Sequence, residues 1–497
     1  MALPETSRPA TTQARKPRGF PDRREGLLHA EREMIARVTA VYRNWGFEAL
    51  DTGAFEYVDA LGKFLPDTDR PNEGVFALQD DDAQWIALRY DLTAPLARFA
   101  AEHWAGLPKP FRRYAFGPVW RNEKPGPTRF REFIQCDADT VGTELPASDA
   151  EMVAMAAQAI EAAGAAPGEF VIRVNTRKLL NAALDKAGAQ ETGTRLTVLR
   201  ALDKLDRLGA DGVRELLGAG RKDESGDFTK GAGLDGPRIE TLIAFALAGR
   251  GTRGQTLEEL ARVVHGVAEG DAGIAELSAI ELALSGLGVA DRAVAFDPAV
   301  VRGLEYYTGP VFEAELLREV RGEDGVPVRV GSVGGGGRYD DLVARFTGER
   351  VPATGFSVGI SRLASAFALA GGVSRLDGPV VVLSLDAEHL ADSLALATQL
   401  RRAGIRAEAY LGTSGMRAQM KYADRRDAPA VVIVGSDERA AGTVTIKDLA
   451  AGAAAAAGIT DNAEWKAARP GQFTVPRAEM IARLHAILAE TAAGTKA

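Results

Sequence analysis

The chain has 497 residues, 46% hydrophobic and 26% charged, a balance that excludes wholesale disorder and fibrous repeats. No run approaches the ~18–20 consecutive apolar residues that would cross a bilayer, and at about 100–200 residues per domain the length implies about two to four domains. The net charge of -8, from 60 Lys+Arg against 68 Asp+Glu, excludes a general basic coat for nucleic acid, leaving a local basic patch as the alternative. With one cysteine, Cys136, there is no internal disulfide, and the five histidines lack metal-ligand spacing. A reducing, cytoplasmic setting is the simplest reading.

Residues 1–20 read as a flexible lead-in. They carry no apolar core of a secretory signal, and Pro9, Pro17 and Pro21 oppose an amphipathic transit helix. The spacing of Leu28, Ile35, Val38 and Tyr42 predicts a helix over 25–45, stopped at Gly46. Segments 111–120 and 129–141 read as strands of a long hairpin broken at Lys124-Pro125-Gly126-Pro127. Ser148 and Glu151 form a capping-box pattern before an Ala-rich helix that ends near Gly164. Residues 170–175 return to a strand.

Helical patterns dominate 178–290, with Gly-rich interruptions and no convergent set of catalytic residue types; this reads as an inserted helical domain. Strand character resumes at 293–296 and continues to about 360. After Gly371 and Gly372 comes a buried strand at 379–385, then helix 390–402, strand 405–411, helix 415–425 and strand 430–434. That alternation predicts a small α/β domain with a largely parallel sheet. No G-x-G-x-x-G follows its first strand, which weighs against a dinucleotide fold. The Ala-rich stretch at 450–458 shows no register, and a final helix is expected over 476–489.

The chemistry concentrates on the 129–139 strand. Alternation puts Arg129, Arg131, Phe133, Gln135, Asp137 and Asp139 on one face, and Phe130, Ile134, Cys136 and Ala138 on the other, buried one. At ~3.3 Å per residue the polar face spans on the order of 25 Å, enough for an extended ligand. Its arginine end suits phosphates, and its Asp139 end suits a cation or hydrogen-bond donor. A solvated hairpin face explains the same composition. Three further segments each carry a weak signal: Asp91 and Thr93 two residues apart, which suit an ammonium or a helix cap; Arg302 beside Gly303, Tyr306 and Tyr307; and the glycine run 334–337. Four glycines bring backbone close to something, and no Gly-Lys-Ser/Thr follows to make a P-loop.

In this order the segments are specific, and the chain resembles the histidyl-tRNA synthetase family of class II aminoacyl-tRNA synthetases from about residue 17 to about residue 450. Phe116–Pro125 with Arg129–Phe133 resembles motif 2, Gly355–Leu363 resembles motif 3, and Arg302–Tyr307 resembles the histidine signature. The resemblance implies an α+β fold with an antiparallel-sheet catalytic domain in two parts (21–177 and 291–372), a helical insertion (178–290) and a C-terminal α/β anticodon-binding domain with an extension (379–497). It implies a homodimer that uses ATP with Mg²⁺, L-histidine and tRNA(His), with histidyl-adenylate as intermediate. By position, Asp91 and Thr93 would hold the α-ammonium, and Gln135 and Arg302 would orient the carboxylate. Asp139 and Tyr307 would grip the imidazole nitrogens, with Tyr306 lining that pocket. Arg121 would meet both the histidine and the α-phosphate, Glu123 would lie near the adenine, and Phe133 and Arg362 would sandwich its ring. Arg129 and Arg131 would lie toward the outer phosphates. Arg121 and Arg302 would be catalytic, and no protein side chain is assigned to metal.

The chain departs from the family pattern in three places. Asp91 and Asp139 stand where many members have glutamate. The usual motif 1 proline is replaced around Asp51-Thr52-Gly53, and the hairpin tip 124–128 lacks the Arg and Gln often found there. The main alternative is a non-catalytic histidine-sensing paralogue, the regulatory subunit of ATP phosphoribosyltransferase; Arg121, Arg131, Arg302 and Arg362 and the 379–450 domain favour the enzyme. Prolyl and threonyl relatives are opposed by the Arg302–Tyr307 signature and by the lack of a zinc-ligand set.

Overall fold

The computed structural model describes residues 12–61, 74–126, 128–202, 204–222, 226–249, 251–300, 307–322, 325–328, 330–371, 378–456 and 471–494. The chain forms two compact units, Met1–Val373 and Ser374–Ala497.

The first unit is built on an eight-stranded sheet of order β1-β5-β6-β13-β12-β11-β7-β10. Its strands are β1 (Glu48–Ala49), β5 (Phe111–Trp120), β6 (Glu132–Val141), β7 (Phe170–Thr176), β10 (Val294–Phe296), β11 (Pro310–Leu316), β12 (Ser332–Arg338) and β13 (Ala353–Gly359). The interior pairs are antiparallel, and only the two outermost pairs, β1 with β5 and β7 with β10, are parallel. A separate small sheet of order β2-β4-β3 joins β2 (Phe55–Tyr57), β3 (Ala77–Gln79) and β4 (Trp85–Leu88). Helices α1 (Glu25–Asn44), α2 (Val58–Leu61), α3 (Thr93–His103) and α4 (Pro146–Ala163) complete the first half.

The two faces of the large sheet have different fates, and side-chain alternation explains why. On one face Cys136 and Ala138 are fully buried in a cluster with Val38 of α1, Ala156 of α4 and Leu363 of α12 (Ile360–Leu369). The alanines of α4 present little bulk, so that helix lies close on the sheet. The other face carries the polar residues of β6.

Two expectations about this region are corrected. The strand begins at Glu132 rather than 129. The capping box at Ser148 and Glu151 does not form. Pro146 opens α4 three residues earlier than a cap at Ser148 would, where proline's missing N–H is no loss, Ser148 Oγ donates to the Leu145 carbonyl, and Glu151 pairs with Arg112. A reciprocal capping box does occur at Thr252 and Gln255, at the start of the helix Arg253–Val264.

Between β7 and β10 run α5 (Arg177–Lys186), α6 (Thr192–Leu202), α7 (Leu205–Leu217), the hairpin β8 (Gly220–Lys222) and β9 (Phe228–Lys230), α8 (Gly236–Leu247), α9 (Arg253–Val264) and α10 (Ala268–Gly286). Leu179, Leu242 and Leu277 of these helices share one buried cluster with Ile172 and Phe312 of the sheet. A short α11 (Ala344–Thr347) follows β12. Gly19 and Phe20, assigned to the lead-in, are packed: the Arg131 N–H donates to the Gly19 carbonyl at 2.8 Å, and the Phe20 ring meets Phe76 edge-on.

The second unit has a five-stranded sheet of order β15-β14-β16-β17-β18, formed by β14 (Val380–Val382), β15 (Ala407–Ala409), β16 (Ala430–Ile433), β17 (Thr443–Asp448) and β18 (Gln472–Pro476). It is mixed rather than largely parallel. The first three strands are parallel, joined through α13 (Leu390–Arg402) and α14 (Met416–Arg425), whereas β17 and β18 add antiparallel. A six-residue α15 (Ser436–Ala441) connects β16 to β17, too short for the crossover a parallel partner needs. The Ala-rich stretch forms α16 (Leu449–Ala456), and the last helix, α17, spans Met480–Gly494.

Candidate active site

The polar face of β6 lines a cavity of about 680 Å³, through Phe133, Gln135, Asp137 and Asp139. That volume suits a small-molecule substrate. Its floor is the glycine strand β12 with Gly355 and Ser357 of β13. Two of these glycines are required by close approach: a Cβ on Gly336 would fall 2.0 Å from the Gly355 carbonyl, and one on Gly355 would fall 1.9 Å from Asp139 Oδ1.

Arg121 enters from the opposite leg of the hairpin. Its Nε donates to the Tyr90 carbonyl at 3.0 Å, and its guanidinium stands 5.2 Å from the centre of the Phe133 ring. Asp91 lies at the start of α3, where Oδ1 accepts from the N–H groups of Thr93 (3.1 Å) and Ala94 (2.9 Å). Burial raises the Asp91 pKa, opposed by those N–H groups and by Arg121. The helix-cap reading of this carboxylate is therefore observed, and Asp91 also lines the cavity.

At the far end two carboxylates lie almost wholly buried, Asp137 at 2% and Asp139 at 1% exposure. Asp139 Oδ2 is 2.9 Å from Nη2 of Arg113, itself 1% exposed, and Oδ1 accepts from the Tyr339 hydroxyl. Arg113 Nη2 also donates to the Leu92 carbonyl at 2.7 Å. Desolvation raises the pKa of Asp139, with Arg113 and Tyr339 opposing it. Asp137 is pushed up to about 7, first by burial and then by the charge of Asp139.

Ten of the residues singled out from sequence line this cavity: Asp91, Thr93, Arg121, Glu123, Arg129, Phe133, Gln135, Asp139, Tyr307 and Arg362. Arg131 does not. Its stem lies against Gly19 and its Nε donates to the Glu123 carbonyl. Phe130, expected on the buried side, lines the cavity, because β6 starts after it and its alternation does not extend there. Arg302 and Tyr306 lie outside the described residues. Arg113 and Tyr339 were missed. The hairpin register had the signal for Arg113, since Trp120 opposite Glu132 puts Arg113 opposite Asp139. A second, polar cavity of about 540 Å³ shares Thr128, Arg129, Ser332 and Arg362 with the first.

An antiparallel sheet whose central hairpin lines a cavity with arginine, aromatic and carboxylate groups, followed by a separate α/β unit, defines a class II aminoacyl-tRNA synthetase. The sequence profile of histidyl-tRNA synthetases matches residues 19–363, and that of an anticodon-binding domain matches 379–465. A histidine–tRNA ligase of Caulobacter vibrioides is 65% identical over 481 residues, covering 96% of this chain and 97% of that one. One of Brucella ovis is 56% identical over 483 residues, 96% of each chain. Among solved structures, a histidyl-tRNA synthetase from Nostoc superposes with a TM-score of 0.71 at 27% identity, over 96% of this chain and 99% of that one. The chain belongs to the histidyl-tRNA synthetase family. It is an aminoacyl-tRNA ligase that charges tRNA(His), and the sensor alternative is not favoured. An ATP phosphoribosyltransferase regulatory subunit/histidyl-tRNA synthetase from Bacillus halodurans, at 23% identity and a TM-score of 0.65, shares the fold.

Proposed function

We propose that the 680 Å³ cavity joins L-histidine to ATP as histidyl-adenylate and then passes the histidine to the 3′ end of tRNA(His). The observation that carries this reading is the order of groups along one strand face: ring, amide, carboxylate, carboxylate from Phe133 to Asp139, with Arg121 at the ring end. Asp91 and Thr93 bind the α-ammonium, and Gln135 and Arg302 orient the carboxylate. The imidazole lies toward Asp139 and Tyr307, with Tyr306 beside it. Arg121 stabilises charge on the α-phosphate as the carboxylate attacks; preplaced cations of this kind are often the largest catalytic contribution. Phe133 and Arg362 enclose the adenine, Glu123 lies at its edge, and Arg129 attends the outer phosphates. No residue acts as a covalent nucleophile.

Mg²⁺ would enter with ATP and neutralise phosphate charge. The carboxylates that line the cavity supply hard oxygen donors of the kind such an ion takes, and no single one is assigned to it. The domain division retained is catalytic for 21–177 and 291–372, helical insertion for 178–290, and anticodon binding for 379–497 after a lead-in at 1–20.

The enzyme acts as a cytoplasmic homodimer. Supporting the dimer, one face of the β2-β4-β3 sheet exposes Phe55 (47%), Tyr57 (55%) and Leu78 (47%), aligned through their pairing with Leu88 and Ile86. A contiguous apolar face of this kind marks an interaction site. Among the described residues no helix is long and apolar enough to cross a membrane. The test is amino-acid-dependent pyrophosphate exchange with all twenty amino acids: exchange with histidine alone is expected, and exchange with none would overturn the reading.

A further inference from the structure

Two of the cavity's lining groups, Phe133 and Arg362, are held from behind by a residue that does not line it, Arg23. Phe133 stands on β6 between Glu132 and Ile134, whose side chains point to the opposite face of the sheet. Both of those neighbours are tied down. The pairing of β6 with β13 runs as far as Gln135 opposite Gly359, and one step further the Ile134 N–H donates to Ser361 Oγ at 3.0 Å. Ser361 directly precedes Arg362. This bond therefore joins the chain neighbours of Phe133 and Arg362.

Arg23, two residues before α1, clasps the same place. Its Nη2 donates to Glu132 Oε1 at 3.1 Å, and its Nη1 is 3.2 Å from Glu31 Oε2 and 3.5 Å from Ser361 Oγ. Glu132 Oε2 accepts in turn from Trp120 Nε1 at 2.9 Å. One planar guanidinium thus spans α1, the start of β6 and the start of α12, which suits a rigid fork of donors better than a point charge. An exposed ion pair of this kind would count for little. This one is enclosed, with Glu31 only 2% exposed and the Arg23 side chain 18%. The residues just before it grip the hairpin as well. The Gly19 carbonyl accepts from the Arg131 N–H, and the Arg131 carbonyl accepts from the Arg121 N–H at 2.9 Å.

We propose that Arg23 is a positioning residue for the ATP half of the cavity: through Glu132 and Ser361 it fixes the spacing between Phe133 and Arg362. The segment that leads into α1 is then part of the nucleotide site's frame. This rests on the reading of Phe133 and Arg362 as the two sides of the adenine pocket.

The test is pyrophosphate exchange, with KM measured separately for ATP, histidine and pyrophosphate, beside melting curves. Arg23→Ala should raise the KM for ATP by about ten- to a hundredfold, the upper figure being the cost of misplacing a group by about 1 Å. The kcat and the KM values for histidine and pyrophosphate should stay within about twofold, because only binding of the base is lost. The melting temperature should fall, since Glu31 is left buried without its partner. Arg23→Ala/Glu31→Gln removes that charge and should recover the melting temperature while the KM for ATP stays raised. Glu132→Ala should raise the KM for ATP in like measure, and joining it to Arg23→Ala should add little further, as for residues that act through one contact. Equal rises in all three KM values would overturn the proposal, as would recovery of the KM for ATP together with the melting temperature. Phe133→Ala separates the two readings. If it raises the KM for ATP and the Arg23 variants do not, this proposal fails alone. If it leaves the KM for ATP unchanged, the adenine reading fails and takes this proposal with it.

Discussion

Gly355 of β13 stands directly opposite Asp139 of β6, so close that a Cβ on Gly355 would fall 1.9 Å from the carboxylate oxygen that receives the Tyr339 hydroxyl. The backbone on the other side is equally near, with Gly336 against the Gly355 carbonyl. Neither neighbour has room to retreat. Gly355→Ala should therefore displace Asp139, break its pairing with Arg113 and lower stability by about 3–5 kcal/mol, the scale for disrupting a buried ion pair. Urea unfolding gives the magnitude; a variant within ~1 kcal/mol of wild type would show that β13 shifts freely.

Asp137 gives the free protein a pH dependence whose sign can be worked out. Its pKa is pushed up to about 7 by burial and by Asp139, with Arg113 and Ser357 opposing and Asp91 adding to the rise. In the unfolded chain the group titrates near ~3.9. Between these values the folded state holds the proton and the unfolded state does not. This contribution is fully present below about pH 4 and is lost as pH rises through 7, by at most about 4 kcal/mol. Asp137→Asn should flatten that part of the stability profile between pH 4 and 7. An unaltered slope in the variant would show that the folded-state titration belongs to another group.

Much of the framework was legible because period two governs an isolated strand. Phe111–Trp120 was read with the bounds observed, and the Gln135, Asp137 and Asp139 face needed only alternation. Arg113 was hidden because a sequence such as Phe111-Arg112-Arg113-Tyr114 gives no sign of which arginine is buried; only cross-strand register does so. In the second unit, the switch from parallel to antiparallel pairing depends on a short connection and on β18, far along the chain. Ser148 and Glu151 matched a capping pattern, but Pro146 starts the helix earlier, and Glu151 has Arg112 to bind.

Arg121 is expected to act in the transition state more than in stability. It is half-buried, donates from Nε to the Tyr90 carbonyl, and presents its guanidinium over Phe133. Arg121→Ala should lower kcat for pyrophosphate exchange by ~10²–10³, as for removal of one preplaced transition-state donor. Arg302→Ala should fall in the same range with a smaller change in histidine affinity. Melting curves separate this from unfolding: near-normal exchange in a folded Arg121→Ala would remove its assigned role.

The hairpin tip leads to the last expectation, which concerns the acceptor end of the tRNA. In this class the motif 2 tip approaches the acceptor stem, and the family's usual tRNA carries an extra 5′ guanosine. Here the turn is closed by reciprocal backbone hydrogen bonds between Gly126 and Arg129, at 2.9 and 3.2 Å. Lys124 and Gly126 line the second cavity, while Thr128 is buried. Reading a base edge takes paired hydrogen bonds, each good bidentate contact giving ~1–3 kcal/mol of discrimination. Gly126 has no side chain for this, and Lys124 offers a point charge suited to phosphate. Arg129, the fork-shaped donor here, is assigned to the phosphates of ATP. Dependence on the extra guanosine should therefore be weak, with charging of matched tRNAs differing by less than about fivefold with and without it, below the range of one bidentate base contact. Specificity would then rest on other acceptor bases or on the 379–497 unit. Comparing kcat/KM for the two tRNAs decides the matter, and a hundredfold loss on removing the nucleotide would show that this hairpin or a neighbouring loop reads it.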